Sequence, residues 1–83
     1  NNFGGTVFGG CYSLTNVIIC EGVTKIGDGA FAHCTALKKI IADKEVFFEQ
    51  DAIIGCPNVV IYCYEDSNAL YYAKTNGFNY EFI

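Results

Sequence analysis

The sequence predicts an α/β repeat solenoid, in which short strands and short helical turns alternate within coils of about 23 residues. Two observations lead to this prediction. Three cysteines, Cys11, Cys34 and Cys56, recur at almost constant spacing, and apolar residues recur at matched places around them. Self-similarity at a fixed period indicates a repeat fold, because a unit this short must bury its apolar side against the next one.

Composition excludes several other classes of protein. An apolar content of 52% is too high for a disordered chain, and there is no run of about 20 apolar residues that would predict a membrane helix. Nine acidic residues against five lysines and no arginine give a net charge of −4, which argues against binding to nucleic acid or to an anionic membrane. With 83 residues and no methionine, we expect a single domain that is a fragment or a mature product.

The repeat extends beyond the cysteines. An aliphatic residue follows each cysteine by three positions: Leu14, Leu37 and Val59. Three positions further on, the predicted matches are Val17, Ile40 and Tyr62. The offset from Ala30 to its match Ala52 is one position shorter than the offset from Val23 to its match Val46, so the third copy loses one residue between Val46 and Ala52. In that copy, Ile53 replaces the phenylalanine found at position 31.

Each coil is predicted to contain two strands and a helical turn. The β-branched residues 14–19 predict a strand, residues 37–41 are its copy, and the alternating residues 23–26 predict a second, shorter strand. Residues 28–34 predict about one and a half helical turns, with Asp28 as the N-cap. Phe31 and Cys34 lie three residues apart and are expected to face inward.

The last segment differs from the copies before it. Residues 67–77 predict a full helix, with Ser67 as the N-cap and Gly77 after the C-terminal turn. Phe78, Tyr80 and Phe82 alternate with polar residues and predict a final strand. Residues 1–61 are therefore expected to form about two and a half coils, and residues 62–83 a C-terminal helix–strand cap.

The chain is expected to start in the middle of a coil. Phe3, Val7 and Phe8 are expected to face a missing neighbour. An open end of this kind is expected to favour self-association.

The cysteines and the single histidine do not predict an active or metal site. There is no Cys-x-x-Cys pair, so the usual zinc spacings are absent, and no cofactor motif is found. His33 and Cys34 are adjacent, but adjacent helical positions do not face each other as a nucleophile and its base would. Free, buried thiols are favoured over a disulfide between stacked cysteines, because parallel side chains give poor bridge geometry.

A resemblance accompanies this pattern. The series Leu14-x-x-Val17-x-Ile19, followed by Val23-Thr24-x-Ile26-Gly27 and Ala30-Phe31-x-x-Cys34, resembles the BspA-like (Treponema pallidum type) leucine-rich repeat. Residues 61–67 and 72–77 resemble the C-terminal end of such proteins. Cys20 and Asp43 stand where the family usually has proline after the strand.

The resemblance implies a right-handed leucine-rich-repeat solenoid on a bacterial cell surface or in a secreted protein. It implies an adhesin-like role in protein–protein recognition, with a host surface or matrix protein among the candidate partners, and it brings no catalytic residues. The alternative is a purely structural cap of a longer surface protein or of an appended enzyme.

The candidate binding residues lie on the predicted strands. Thr15, Asn16 and Ile18 alternate away from the core, and Lys38, Lys39 and Ile41 are their copies. From these we select Asn16, Ile18, Lys39 and Ile41 as partner-binding residues, because solenoids bind through the faces of their stacked strands. An ordinary solvated sheet face is the competing interpretation. Packing within the cap is favoured over a ligand platform for five tyrosines: Tyr62, Tyr64, Tyr71, Tyr72 and Tyr80.

Overall fold

The structure, a computed structural model, describes residues 2–3, 9–19 and 22–83. These residues form seven short strands and one helix. In chain order the elements are β1 (Asn2–Phe3), β2 (Asn16–Ile19), β3 (Lys25–Ile26), β4 (Lys39–Ala42), β5 (Phe47–Phe48), β6 (Val60–Cys63), α1 (Asn68–Asn76) and β7 (Asn79–Phe82).

The strands form two parallel sheets that the chain visits alternately up to β6, and β7 then joins the same sheet as β6. The short sheet has the order β1-β3-β5, and the long sheet has the order β2-β4-β6-β7. Every described strand pair is parallel. Strands from successive copies are therefore neighbours in space, as the repeat predicts, and each copy adds one strand to each sheet.

The strand register gives the length of each copy. Asn16 pairs with Lys39 in the long sheet, and this offset equals the offset between Cys11 and Cys34. In the short sheet Lys25 pairs with Phe47, an offset that is shorter by one position. The residue predicted to be lost between Val46 and Ala52 is therefore missing before Phe47, directly after Val46.

A second residue is lost where the sequence did not indicate it. Leu37 and its match Val59 are both buried, but Lys39, two positions after Leu37, pairs with Val60, only one position after Val59. The predicted match of Tyr62 to Ile40 is therefore wrong by one position, since Ile61 is the partner of Ile40. A shift of one residue moves every side chain to the opposite face of a strand, so Ile61 is buried and Tyr62 faces outward.

The helical turn predicted for residues 28–34 is not an α-helix. Ala30 donates to the Gly27 carbonyl at 3.1 Å, which is a turn bond between residues three apart. Other amides of the segment bond to the next copy instead. Phe31 donates to the Ala52 carbonyl at 2.9 Å, and His33 donates to the Ile54 carbonyl at 2.7 Å. Because these amides are used between copies, the segment remains a series of turns.

Asp28 also differs from its predicted role as an N-cap. Its Oδ1 accepts a hydrogen bond from the backbone N–H of Asp51, in the next copy, at 2.9 Å. The side chain that would cap a helix in its own copy thus joins two copies instead.

The apolar core connects the two sheets with the turn segments. One hydrophobic cluster contains residues of the long sheet, the short sheet and the turns, among them Ile19, Ile40, Ile61, Ile26, Phe48, Phe31 and Ile53. Phe31 and Cys34 face inward as predicted, with exposed fractions of 1% and 0%. Ile53 is fully buried at the place that Phe31 occupies in the preceding copy, so the replacement keeps the core apolar with a smaller side chain.

The C-terminal helix and strand are confirmed. Ser67 caps α1 by accepting from the Leu70 amide, and Gly77 ends the helix in the left-handed conformation with φ of 76°. The β7 strand pairs in parallel with β6. The right-handed winding of the coils and the capping role of residues 62–83 remain predictions.

The expectation of an open N-terminal end concerns residues that the structure does not describe. Val7, Phe8 and the side chain of Phe3 lie outside the described residues. In the described part of the chain, no helix is long and apolar enough to cross a membrane.

Candidate partner-binding face

The outward side of the long sheet is built by the strand alternation. In β4 and β6 the alternate residues Ile40, Ala42, Ile61 and Cys63 are buried, so the residues between them point away from the core. The register aligns these outward residues in two rows across the strands. The first row is Asn16, Lys39, Val60 and Asn79, and the second row is Ile18, Ile41, Tyr62 and Glu81. We call these two rows the outer face.

The four candidate residues lie together on this face. Asn16 pairs with Lys39, and Ile18 pairs with Ile41. Opposite residues in paired strands have neighbouring side chains, so the four form one continuous patch. Asn16 is exposed, Lys39 and Ile41 are half-buried, and 67% of Ile18 is exposed.

Four residues of the outer face were not predicted from the sequence. Tyr62 and Val60 were missed because the loss of a residue after Val59 shifts the third copy by one position. Asn79 and Glu81 carried a usable signal, because they alternate with the aromatic residues of the final strand. What the sequence could not supply was the pairing of that strand with β6.

A cation–π contact links the two rows. The Nζ of Lys39 lies 4.6 Å from the centre of the Tyr62 ring, within the distance at which an ammonium group is attracted to an aromatic face. The contact places a positive charge over the half-buried tyrosine, next to the apolar side chains of Ile18 and Ile41. The patch therefore combines apolar contact area with one oriented cation.

The adjacent His33 and Cys34 occupy different environments. Cys34 is fully buried, whereas His33 is exposed in the left-handed conformation with φ of 58°. The His33 imidazole lies against Gly55 of the next copy, where a methyl group on Gly55 would overlap the ring. Burial raises the pKa of the Cys34 thiol, which disfavours the reactive thiolate.

The four cysteines that the structure describes are free thiols. Cys11, Cys34, Cys56 and Cys63 are all unbridged. The Cys56 thiol donates to the Phe31 carbonyl of the preceding copy at 3.1 Å. Burial raises the pKa of the Cys56 and Cys63 thiols. The backbone amide of Cys11 partly offsets the increase at Cys34, and the backbone amide of Cys34 partly offsets the increase at Cys56. Within the described ranges, no group of three or more His, Cys, Asp or Glu side chains could hold a metal ion.

The five tyrosines do not form a single group. Tyr72 is 5% exposed and stacks between Phe48 and Phe78, at centroid distances of 5.1 and 5.6 Å. Its burial raises the pKa of the phenol to about 12. Tyr72 therefore packs as expected, but between β5 and the C-terminal segment, whereas Tyr62 belongs to the outer face. Tyr64, Tyr71 and Tyr80 are exposed.

Comparison with known proteins adds one finding. No curated protein and no solved structure matches the chain. A family model described as "BspA type Leucine rich repeat region (6 copies)" matches residues 1–79. Repeats of this family are generally non-enzymatic protein-interaction modules, typically of surface or secreted proteins. With two sheets of paired copies and a match over nearly its whole length, the chain belongs to the BspA-type leucine-rich-repeat family.

Proposed function

We propose that the chain is a non-catalytic recognition module that binds a partner protein through the outer face. In this proposal residues 1–61 are about two and a half coils of a right-handed solenoid, and residues 62–83 are its C-terminal cap. The module belongs to an adhesin-like bacterial protein that is secreted or held at the cell surface, and its partner is a host surface or matrix protein.

The main support for this proposal is the composition of the second row of the outer face. Ile18, Ile41 and Tyr62 follow one another across three paired strands and give a contiguous apolar strip. Polar residues of the first row, such as Asn16 and Lys39, lie beside it. Apolar and aromatic anchors with a polar surround are the usual anatomy of a protein interface.

The non-catalytic part of the proposal is supported by the chemistry of the thiols. The raised pKa and burial of Cys34 oppose its use as a nucleophile. His33, the one histidine in the chain, packs against Gly55 on the exterior of its turn.

A structural cap remains the alternative role, and α1 supports it. Tyr72 stacks on Phe48 of β5 at 5.1 Å, and its hydroxyl donates to the Gln50 carbonyl at 2.9 Å. The helix therefore packs against β5, the edge strand of the short sheet, and an exposed edge strand is what a cap would protect. Both roles can be held by one chain, since the cap uses α1 and recognition uses the outer face.

A matched pair of substitutions tests the recognition role. Ile18→Glu places a charge on the outer face, and Ile54→Glu places the same charge at a turn residue that is 47% exposed. Binding to purified matrix proteins, with collagen and laminin as the first probes, is measured by surface plasmon resonance. Circular dichroism melting controls for folding.

We expect Ile18→Glu to weaken binding by about tenfold or more. A tenfold loss corresponds to about 1.4 kcal/mol, and burying an unpaired charge in an interface costs more than this. Ile54→Glu is expected to bind like the wild type. Equal binding by both variants, with melting curves unchanged, would remove the outer face from the proposal. Failure of the unmodified chain to bind any of these proteins would favour the structural cap.

A further inference from the structure

A groove separate from the outer face runs along α1. It encloses about 540 Å³ between the helix and β5. On the helix it is lined by positions spaced three and four residues apart, from Asn68 through Tyr71 to Asn76. Residues with this spacing share one side of a helix, so the groove follows the full length of α1.

The groove has an aromatic floor and aromatic walls. Phe48 and Tyr72 form the floor, with stacked rings and exposed fractions of 3% and 5%. Phe47 and Tyr71 stand at the sides and are 52% and 74% exposed. Because the floor is fixed by packing, the exposed rings project from a rigid base.

The polar lining of the groove is neutral. The polar groups in the lining are side-chain amides, including that of Gln50, and hydroxyls. No Asp, Glu, Lys, Arg or His is among the residues that line the groove. Asn76 donates from Nδ2 to the Tyr72 carbonyl at 3.0 Å, which leaves its Oδ1 as an acceptor. Within the described part of the chain, the side chains of Gln50, Asn68 and Thr75 make no hydrogen bond to protein and are available to a ligand.

We propose that this groove binds a neutral saccharide. A pyranose ring has an apolar face of C–H groups and a rim of hydroxyls that both donate and accept. Exposed aromatic rings offer flat apolar contact area, and side-chain amides both donate and accept hydrogen bonds. The groove provides both kinds of group, and its volume lies within the range of about 300–1,000 Å³ typical of small-ligand sites.

The absence of charge in the lining selects against charged small ligands. A phosphate, a nucleotide or a carboxylate would be placed in a negatively charged protein with no cationic group in the lining of the groove. A basic ligand would find no carboxylate there. An uncharged polyhydroxylated ligand meets neither obstacle, and this assignment does not depend on the recognition role proposed for the outer face.

The test is an NMR titration of the ¹⁵N-labelled 83-residue chain with neutral oligosaccharides. Maltotetraose, cellotetraose and N,N′-diacetylchitobiose are the probes. We expect at least one of them to shift the amide signals of residues 47–50 and 68–76. Tyr71→Ala is expected to weaken that binding by about tenfold or more, and Tyr71→Phe to retain it, because the ring rather than the hydroxyl provides the contact.

Tyr12→Ala is the matched control, since Tyr12 is 68% exposed and does not line the groove; it should bind like the wild type. The proposal is overturned if none of the three saccharides shifts these amides, or if Tyr71→Ala binds as well as the wild type. If a neutral Gly-Ser tetrapeptide shifts these amide signals and none of the saccharides does, the groove binds peptides instead and the proposal is overturned.

Discussion

Individual side chains join successive copies as directly as the strands do. Glu49 accepts from the Asp28 amide of the preceding copy through Oε1 at 2.9 Å, and its Oε2 lies 3.1 Å from Nζ of Lys25. These two interactions hold the pKa of the Glu49 carboxyl below its ordinary value, and the hydrogen bond from the Asp28 amide has the larger effect. The ionised form of Glu49 is therefore bound more tightly in the folded chain than in the unfolded one.

Glu49 should make stability depend on pH in the acid range. A lowered folded-state pKa contributes stability above the unfolded pKa of about 4.3, and that stability is lost as the pH falls through the lower, folded value. The melting temperature of Glu49→Gln is expected to fall less on acidification from about pH 5 to pH 3 than that of the wild type. Glu45→Gln, at an exposed turn residue, is the control, and parallel melting profiles for wild type and Glu49→Gln would contradict this account.

The cysteines should differ in reactivity according to their burial. Cys34, Cys56 and Cys63 are buried with raised pKa values, whereas Cys11 is half-buried. In a short iodoacetamide pulse at neutral pH, we expect Cys11 to be alkylated before these three, because the thiolate must be both formed and reached. Peptide mass spectrometry measures each site, and the same pulse in urea should remove the differences. Rapid labelling of Cys34 in the native chain would instead favour a catalytic cysteine.

At the scale of elements, the sequence predicts a helix or turn best where the residues of that segment alone determine its structure. The helix over residues 67–77 was predictable because Ser67 and Gly77 supply both of its ends locally. The turn over residues 28–34 was not, because its Asp28 resembles an N-cap while the amide that it binds belongs to Asp51 of the next copy. Local signals of the two segments are alike, and only the neighbouring copy distinguishes them.

The capping bond of α1 should contribute measurably to stability. Ser67 Oγ accepts from the Leu70 amide at 3.2 Å and donates to the Tyr64 carbonyl at 2.7 Å. Ser67→Ala removes both bonds and is expected to cost about 1 kcal/mol in urea unfolding. Ser67→Thr keeps the hydroxyl and should cost less, and Ser13→Ala, at an exposed turn, is the control. A Ser67→Ala variant as stable as the wild type would show that packing alone holds the helix.

At the scale of the whole molecule, the repeat period predicted the pairing of copies but not the composition of the outer face. The cysteines gave the period correctly, and four of the residues on the face followed from the first two copies. The loss of a residue between Val59 and Val60 left no signal, because apolar residues stand on both sides of it. That single missing residue decides whether Tyr62 points into the core or lies on the outer face.

The strand register in solution is therefore the most direct test of the account. In paired parallel strands, backbone protons of neighbouring residues lie close enough to give nuclear Overhauser effects across the sheet. We expect these effects to connect Ile18, Ile41, Tyr62 and Glu81 in that order, as the strand pairs require. A network that instead places Tyr62 beside Ile40, or that shows no contacts between the strands of successive copies, would contradict the paired repeats and the outer face that they form.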